Sequence, residues 1–207
     1  MIRVSSDDAG IVTASKIARK GGIIVYPTDT VYGIGCIPQN SEGIKRIFKL
    51  KNRINKAMPV LCSDINSVKR LVHLGDIGDK LASRFWPGAL TMISPLKTKT
   101  LPLELTDGSR KLGIRIPDQQ CALKLISLSG GSLVGTSANK SGLESPVTAD
   151  QVLEVLGECF DVLVDDGRTH LGTESTVIDI SSKEFNIVRK GAIDTEEIRE
   201  LVQIEKK

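Results

Sequence analysis

The sequence predicts one α/β (α+β) domain over residues 1–207, built on a twisted sheet of seven or more strands that mixes parallel and antiparallel pairs. Three observations carry that expectation. The 207 residues suffice for one well-buried core and are few for two. Short apolar runs alternate with capped, amphipathic segments at the spacing of strands joined by helices. No internal repeat, low-complexity tract or Pro/Ser-rich linker divides them.

Taken in order, Ser6 and Asp7 can cap a helix carrying Ile11, Val12 and Ala18 on its apolar face. Gly21-Gly22 stops it ahead of a buried strand, Ile23 to Tyr26. A helix from Ser41 to about Lys51 places Ile44, Ile47 and Phe48 together, and a strand follows at Pro59 to Cys62. Further helices are expected at Asn66 to Val72, Asp76 to Phe85, Gln119 to Leu128, Thr148 to Leu156 and Thr195 to Val202. Two begin with capping-box spacing, Thr148 with Gln151 and Asp194 with Glu197. Strands are expected at Leu90 to Ser94, Leu112 to Ile116, Ser132 to Gly135, Asp161 to Val164, Thr176 to Ile180 and Phe185 to Arg189. The short join from Ile180 to Phe185 implies an antiparallel pair.

Composition removes several function classes. The apolar residues, 40% before the 19 glycines are added, exclude general disorder. The longest apolar stretches, GGIIVY and ALTMI, fall far short of the roughly 20 residues of a membrane-spanning helix. The opening MIRVSSDD lacks a signal-peptide core, so no membrane association and a cytoplasmic location are expected. Cys36, Cys62, Cys121 and Cys159 stand far apart and form neither a zinc nor a redox motif; they read as reduced, mostly buried thiols. A net charge of +3 permits an anionic ligand without requiring nucleic acid, and 3% aromatic content argues against base-stacking platforms.

There is no G-x-x-x-x-G-K-S/T loop, no G-x-S-x-G elbow and no H-E-x-x-H, and His73 and His170 sit apart from other reactive groups. Polar segments instead cluster where strands end. YPTDTVYGIG (Tyr26 to Gly35) offers Thr28, Asp29 and Thr30 after an apolar strand, either as a ligand site or as a Pro-initiated turn. Lys51-x-Arg53-x-x-Lys56 places three cations within six residues, a phosphate site or a solvated face. GTSANKSG (Gly135 to Gly142), followed by Ser145-Pro146, can form a donor nest for phosphate or remain a Ser/Gly-rich loop. In LGIRIPD, Arg115 interrupts an apolar strand on the face opposite Ile114 and Ile116, and is either solvent-facing or held by an anion. GTESTVID and Arg189-Lys190-Gly191 complete the set. Together they describe a cleft suited to aligning a nucleoside triphosphate with a small carboxylate, where catalysis is mainly positioning and charge neutralisation.

Read in order, YPTDTVYGIG, K-x-R-x-x-K, FWPGALT, LGIRIP, GTSANKSG, ESTVID and VRKGAI resemble the successive motifs of the YrdC-type family, the L-threonylcarbamoyladenylate synthases, from about residue 10 to residue 195. The resemblance implies a twisted mixed sheet around a positively charged central cleft. It implies conversion of L-threonine, bicarbonate and ATP to threonylcarbamoyl-AMP and pyrophosphate, feeding a separate transferase machinery that modifies tRNA. On the same ground Thr30, Arg115, Gly135 and Ser175 would bind threonine. Lys51, Arg53, Lys56, Lys111, Ser137, Asn139, Ser145 and Arg189 would bind ATP, with Arg53 and Lys56 also catalytic. Mg2+ would arrive with ATP, with no dedicated metal site, and tRNA or double-stranded RNA would be further partners. The end at residue 207 resembles the short family form, without an extra C-terminal domain. Ile54 after Arg53, where the family commonly has proline, and Ala89 in FWPGALT depart from the pattern. Two other readings are kept: an RNA-binding or ribosome-assembly factor, and a same-fold paralogue with another small-molecule substrate.

Overall fold

The strands expected from the sequence form two sheets rather than one. The computed structural model describes residues 1–52, 57–182 and 185–203, so Arg53 and Lys56 lie outside the described residues. In chain order the elements are β1 (Ile2–Ser5), α1 (Asp8–Arg19), β2 (Ile24–Tyr26), β3 (Gly33–Gly35), α2 (Ser41–Leu50), β4 (Val60–Cys62), α3 (Ile65–Leu71), α4 (Gly75–Phe85), β5 (Leu90–Pro95), α5 (Leu103–Thr106), β6 (Lys111–Arg115), α6 (Gln120–Leu128), β7 (Ser132–Val134), β8 (Thr136–Ser137), α7 (Ala149–Leu156), β9 (Val162–Asp165), β10 (Thr176–Asp179), β11 (Asn186–Arg189) and α8 (Thr195–Gln203). A five-stranded sheet runs β1-β9-β2-β3-β8 and a six-stranded sheet β11-β10-β5-β6-β4-β7. Both mix parallel pairs, such as β2 with β9 and β5 with β10, with antiparallel ones, including the expected β10–β11 pair.

The expected caps are present, with two departures from the expected box geometry. Asp7 accepts from Gly10 N at 2.8 Å, and Thr148 Oγ1 accepts from Gln151 N at 3.3 Å. The Gln151 side chain reaches back to Val147 N at 2.9 Å, one residue earlier than the ideal box. Asp194 caps α8 through Glu196 N at 3.0 Å rather than through Glu197.

Alternation along β2 explains its unbroken apolar run. Ile23 and Val25 join the large core that unites the two sheets, with Ile34, Val60, Leu90, Met92, Ile114 and Ile178. Ile24 and Tyr26 point the other way, into a smaller core with Ile11, Ala14, Leu125 and Val162 beneath α1 and α6.

One segment stitches the sheets together. Its β7 half pairs with β4 and its β8 half with β3, so the chain changes sheet at Gly135. Val134 N donates to Cys36 O and Gly135 N to Pro59 O, each at 2.9 Å. A Cβ on Gly35 would lie 1.7 Å from Val134 O, so this backbone approach requires glycine. Among the described residues no helix is long and apolar enough to cross a membrane.

Candidate active site

A cavity of about 630 Å³ opens where the two sheets meet. Its floor is one face of the six-stranded sheet. Thr91 and Ile93 of β5, Lys111, Gly113 and Arg115 of β6, and Val177 and Asp179 of β10 all line it. Their neighbours Leu90, Met92, Leu112, Ile114 and Ile178 turn into the core, as a two-residue period requires. Loops supply Thr28, Thr30, Gly135, Glu174 and Ser175 to the walls, with Ser137 from β8 and Arg189 from β11.

Arg115 sits on a central strand between β5 and β4, not at an edge. The anion that holds it is the protein's own Asp29, paired with Nη2, while Nε donates to Gly88 O at 2.8 Å and Nη1 to Thr30 Oγ1 at 3.0 Å. Burial pushes the guanidinium pKa down, against the opposing pull of Asp29. Three of its five N–H groups are engaged by these bonds, and the residue lines the cavity. The PTDT segment is both turn and site. Thr28 Oγ1 donates to Val31 O at 2.7 Å and accepts from Thr30 N at 3.2 Å, which fixes the turn that offers Asp29 and Thr30 to Arg115.

Of the residues expected to bind threonine, Thr30, Arg115, Gly135 and Ser175 all line this cavity. Ser175 Oγ is 2.9 Å from Thr91 Oγ1. Among the expected ATP residues, Lys111, Ser137 and Arg189 line it too. Lys51 and Asn139 are buried behind it. Lys51 Nζ donates to Ser137 O, to Asn139 O at 2.8 Å and to Asn139 Oδ1 at 3.1 Å, anchoring the GTSAN loop from below. Ser145 donates to Glu174 Oε1 at 2.5 Å.

The described cations of the lining are each matched to a carboxylate: Lys111 to Asp179 at 3.1 Å, Arg115 to Asp29 and Arg189 to Glu174. Sequence reasoning assigned no role to Asp29 as counter-ion or to Glu174. Both stand inside quoted motifs, and the unexplained Arg115 on an apolar strand was the signal that some carboxylate must meet it. His73 and His170 are exposed and take no part in the lining. Cys36, Cys62 and Cys121 are buried free thiols, and burial pushes each up to about 12; Cys159 is exposed.

A family model for the Sua5/YciO/YrdC domain, described as telomere recombination, matches residues 16–191. The chain belongs to this Sua5/YciO/YrdC family. Threonylcarbamoyl-AMP synthase of Pyrococcus abyssi is 35% identical over 205 residues, which are 97% of this chain and 59% of that protein. The chain therefore spans well under two thirds of that curated relative's length. The structure of P. abyssi Sua5 complexed with L-threonine matches with a TM-score of 0.92 at 33% identity, covering 97% of this chain and 60% of that one. Escherichia coli YciO matches with a TM-score of 0.85 at 26% identity, covering 95% and 98% respectively. The mixed α/β architecture is thus that of the Sua5/YciO/YrdC domain. In this member the hydroxyls, glycines and paired cations converge at the junction of its two sheets.

Among the described residues no group of three or more His, Cys, Asp or Glu side chains could hold a metal ion. The donor set of this Sua5/YciO/YrdC cavity is chiefly hydroxyl, guanidinium and ammonium, which suits carboxylate and phosphate oxygens.

Proposed function

We propose that the cavity binds L-threonine beside magnesium-bound ATP and that the protein joins them with bicarbonate to form threonylcarbamoyl-AMP and pyrophosphate. The observation that carries this reading is Arg115, a buried guanidinium in the cavity lining, oriented by Asp29, Gly88 O and Thr30. A ligand carboxylate meeting that guanidinium exchanges water for charge-assisted hydrogen bonds in a low-dielectric wall. Thr30, whose Oγ1 accepts from Arg115, and Ser175, in the same cavity lining, are proposed to contact the rest of the amino acid.

In the reaction, the neutral amine of threonine adds to bicarbonate with loss of water, or to carbon dioxide with loss of a proton to solvent, and the resulting N-carboxylate attacks the α-phosphate of ATP as pyrophosphate departs. Arg189 and Lys111, with Arg53 and Lys56 of the basic motif, are proposed to offset the negative charge that grows on the phosphate oxygens. Lys51 and Asn139 hold the Ser137 loop in place for the same phosphates. The labile adenylate passes to a separate transferase acting on tRNA, and the setting is the cytosol.

The test is product formation from labelled bicarbonate, Mg-ATP and L-threonine, with serine, glycine and no amino acid as controls. Labelled threonylcarbamoyl-AMP only with threonine is the expected result. Adenylate formation or ATP turnover indifferent to threonine would replace this reading with a paralogue acting on another acceptor, and salt-sensitive RNA binding without turnover would replace it with an RNA-binding factor.

A further inference from the structure

Glu174 stands among the groups proposed to hold the phosphates of ATP. Its Oε1 accepts from Ser145 Oγ at 2.5 Å and its Oε2 pairs with Arg189 Nη1. Burial raises the pKa of this carboxyl, but the Ser145 hydroxyl, the Arg189 charge, the Ser137 hydroxyl and the Lys51 charge together outweigh it and hold the pKa below the ordinary glutamate value. An ionised carboxylate held by the Ser145 hydroxyl and a guanidinium uses the donors that a pair of phosphate oxygens would use.

Arg189 does not depend on this carboxylate for its placement. Its Nε and Nη2 donate to Ser175 O at 3.2 and 2.9 Å, which orients the guanidinium from the backbone. The main chain at Glu174 is pinned as well. Its carbonyl accepts from Ala192 N at 2.9 Å, and a Cβ on Gly191 would fall 2.4 Å from that same oxygen. The side chain, 32% exposed, has solvent on one side and can leave by rotation alone while the backbone stays.

We propose that Glu174 is an internal anion that occupies the phosphate position of the cavity and is displaced by the nucleotide, so that it sets the affinity for ATP by competition. This rests on the reading of the cavity as an ATP site. A tethered carboxylate outcompetes a monovalent anion for one guanidinium and one hydroxyl, because its local concentration is high. A polyphosphate that also engages neighbouring donors displaces it. Glu174 thereby selects for polyphosphate ligands and keeps Arg189 and Ser145 partnered between turnovers. Its displacement frees Arg189 Nη1 and Ser145 Oγ, and it occurs next to Ser175, one of the residues proposed to contact threonine.

Calorimetric binding of inorganic pyrophosphate, Mg-ATP and adenosine to wild type, Glu174→Gln and Glu174→Ala tests this. Both variants are expected to bind pyrophosphate and ATP about three- to tenfold more tightly than wild type, the range for one partly solvated charge-assisted contact. Adenosine, which carries no phosphate, should bind all three proteins equally. Tighter pyrophosphate binding supports the competition whether or not threonylcarbamoyl-AMP is made. Equal or weaker pyrophosphate binding by the two variants, with wild type still binding, overturns it and makes Glu174 a support for Arg189. Wild type that binds neither pyrophosphate nor ATP overturns both this proposal and the ATP site on which it rests.

Discussion

Asp29→Asn isolates the electrostatics of the cavity wall. It removes the carboxylate from a pair whose side chains are 5% and 6% exposed, and leaves the Arg115 guanidinium with Gly88 O and Thr30 Oγ1 as neutral acceptors. Breaking a buried pair from one side costs about 3–5 kcal/mol, because the remaining charge stays out of water without its counter-charge. The asparagine oxygen restores about 1 kcal/mol as a neutral acceptor. The net loss is therefore about 2–4 kcal/mol, a large share of the roughly 5–15 kcal/mol that stabilises a domain. At roughly 2–4 °C per kcal/mol for a chain of this size, the melting midpoint should fall by about 4–16 °C. Urea unfolding of wild type, Asp29→Asn, Arg115→Met and the double variant closes the cycle. The double variant is expected to lose less than the sum of the singles by at least about 1.5 kcal/mol, because the methionine side chain leaves no charge to strand. Single losses that add to within about 0.5 kcal/mol would refute the claim that Arg115 and Asp29 are a desolvated, mutually dependent pair.

Lys51→Met takes the ammonium away from Ser137 O, Asn139 O and Asn139 Oδ1, and is expected to lower unfolding free energy by about 2–4 kcal/mol in urea titrations while weakening ATP binding. Gly35→Ala places its Cβ against the Val134 carbonyl at 1.7 Å and should cost more than the about 1–3 kcal/mol of ordinary overpacking. Gly113→Ala meets Pro59 Cβ at 3.2 Å and should keep most of its stability while losing ligand affinity, since its new methyl projects from the cavity floor; thermal melts with and without ATP separate the two. Stability against pH carries the Glu174 contact with a defined sign. Its pKa is depressed on folding, so the contact's contribution is complete above the unfolded value near 4.5 and is lost as pH falls through the lower folded value. Glu174→Gln should therefore show a flatter loss of stability below about pH 4.5 than wild type in acid titrations of the urea midpoint.

Several elements were legible because the information is local. The run Ile23 to Tyr26 is apolar at every position, which marks a strand covered on both faces, and Thr148 with Gln151 marks a helix start. Other elements carry no such mark. β3 contains two glycines in three residues and reads as loop, β8 is two residues long, α5 is four, and β1 is a largely exposed edge strand without alternation. All four depend on neighbours already in place. The single expected sheet failed for a related reason: the strand segment Ser132 to Gly135 reads as continuous, and its passage from one sheet to the other at Gly135 is set by Cys36 O and Pro59 O, which lie far away in sequence.

The sequence by itself determined which chemical groups are available and much of the local structure that carries them: Thr30 after a buried strand, Arg115 on the polar face of an apolar one, and hydroxyls in a glycine-bearing loop. Order of motifs along the chain was enough to place it among the Sua5/YciO/YrdC proteins. Only the tertiary structure decided which charges meet. Asp29 and Arg115 are 86 residues apart, and Lys51 and Asn139 are 88 apart. Nothing in composition or spacing selects those partners over the other carboxylates and carbonyls of the chain. They are chosen when β6, paired with both β4 and β5, turns its alternate residues toward the loop after β2, because a buried charge must be met by whatever the docked backbone brings within reach.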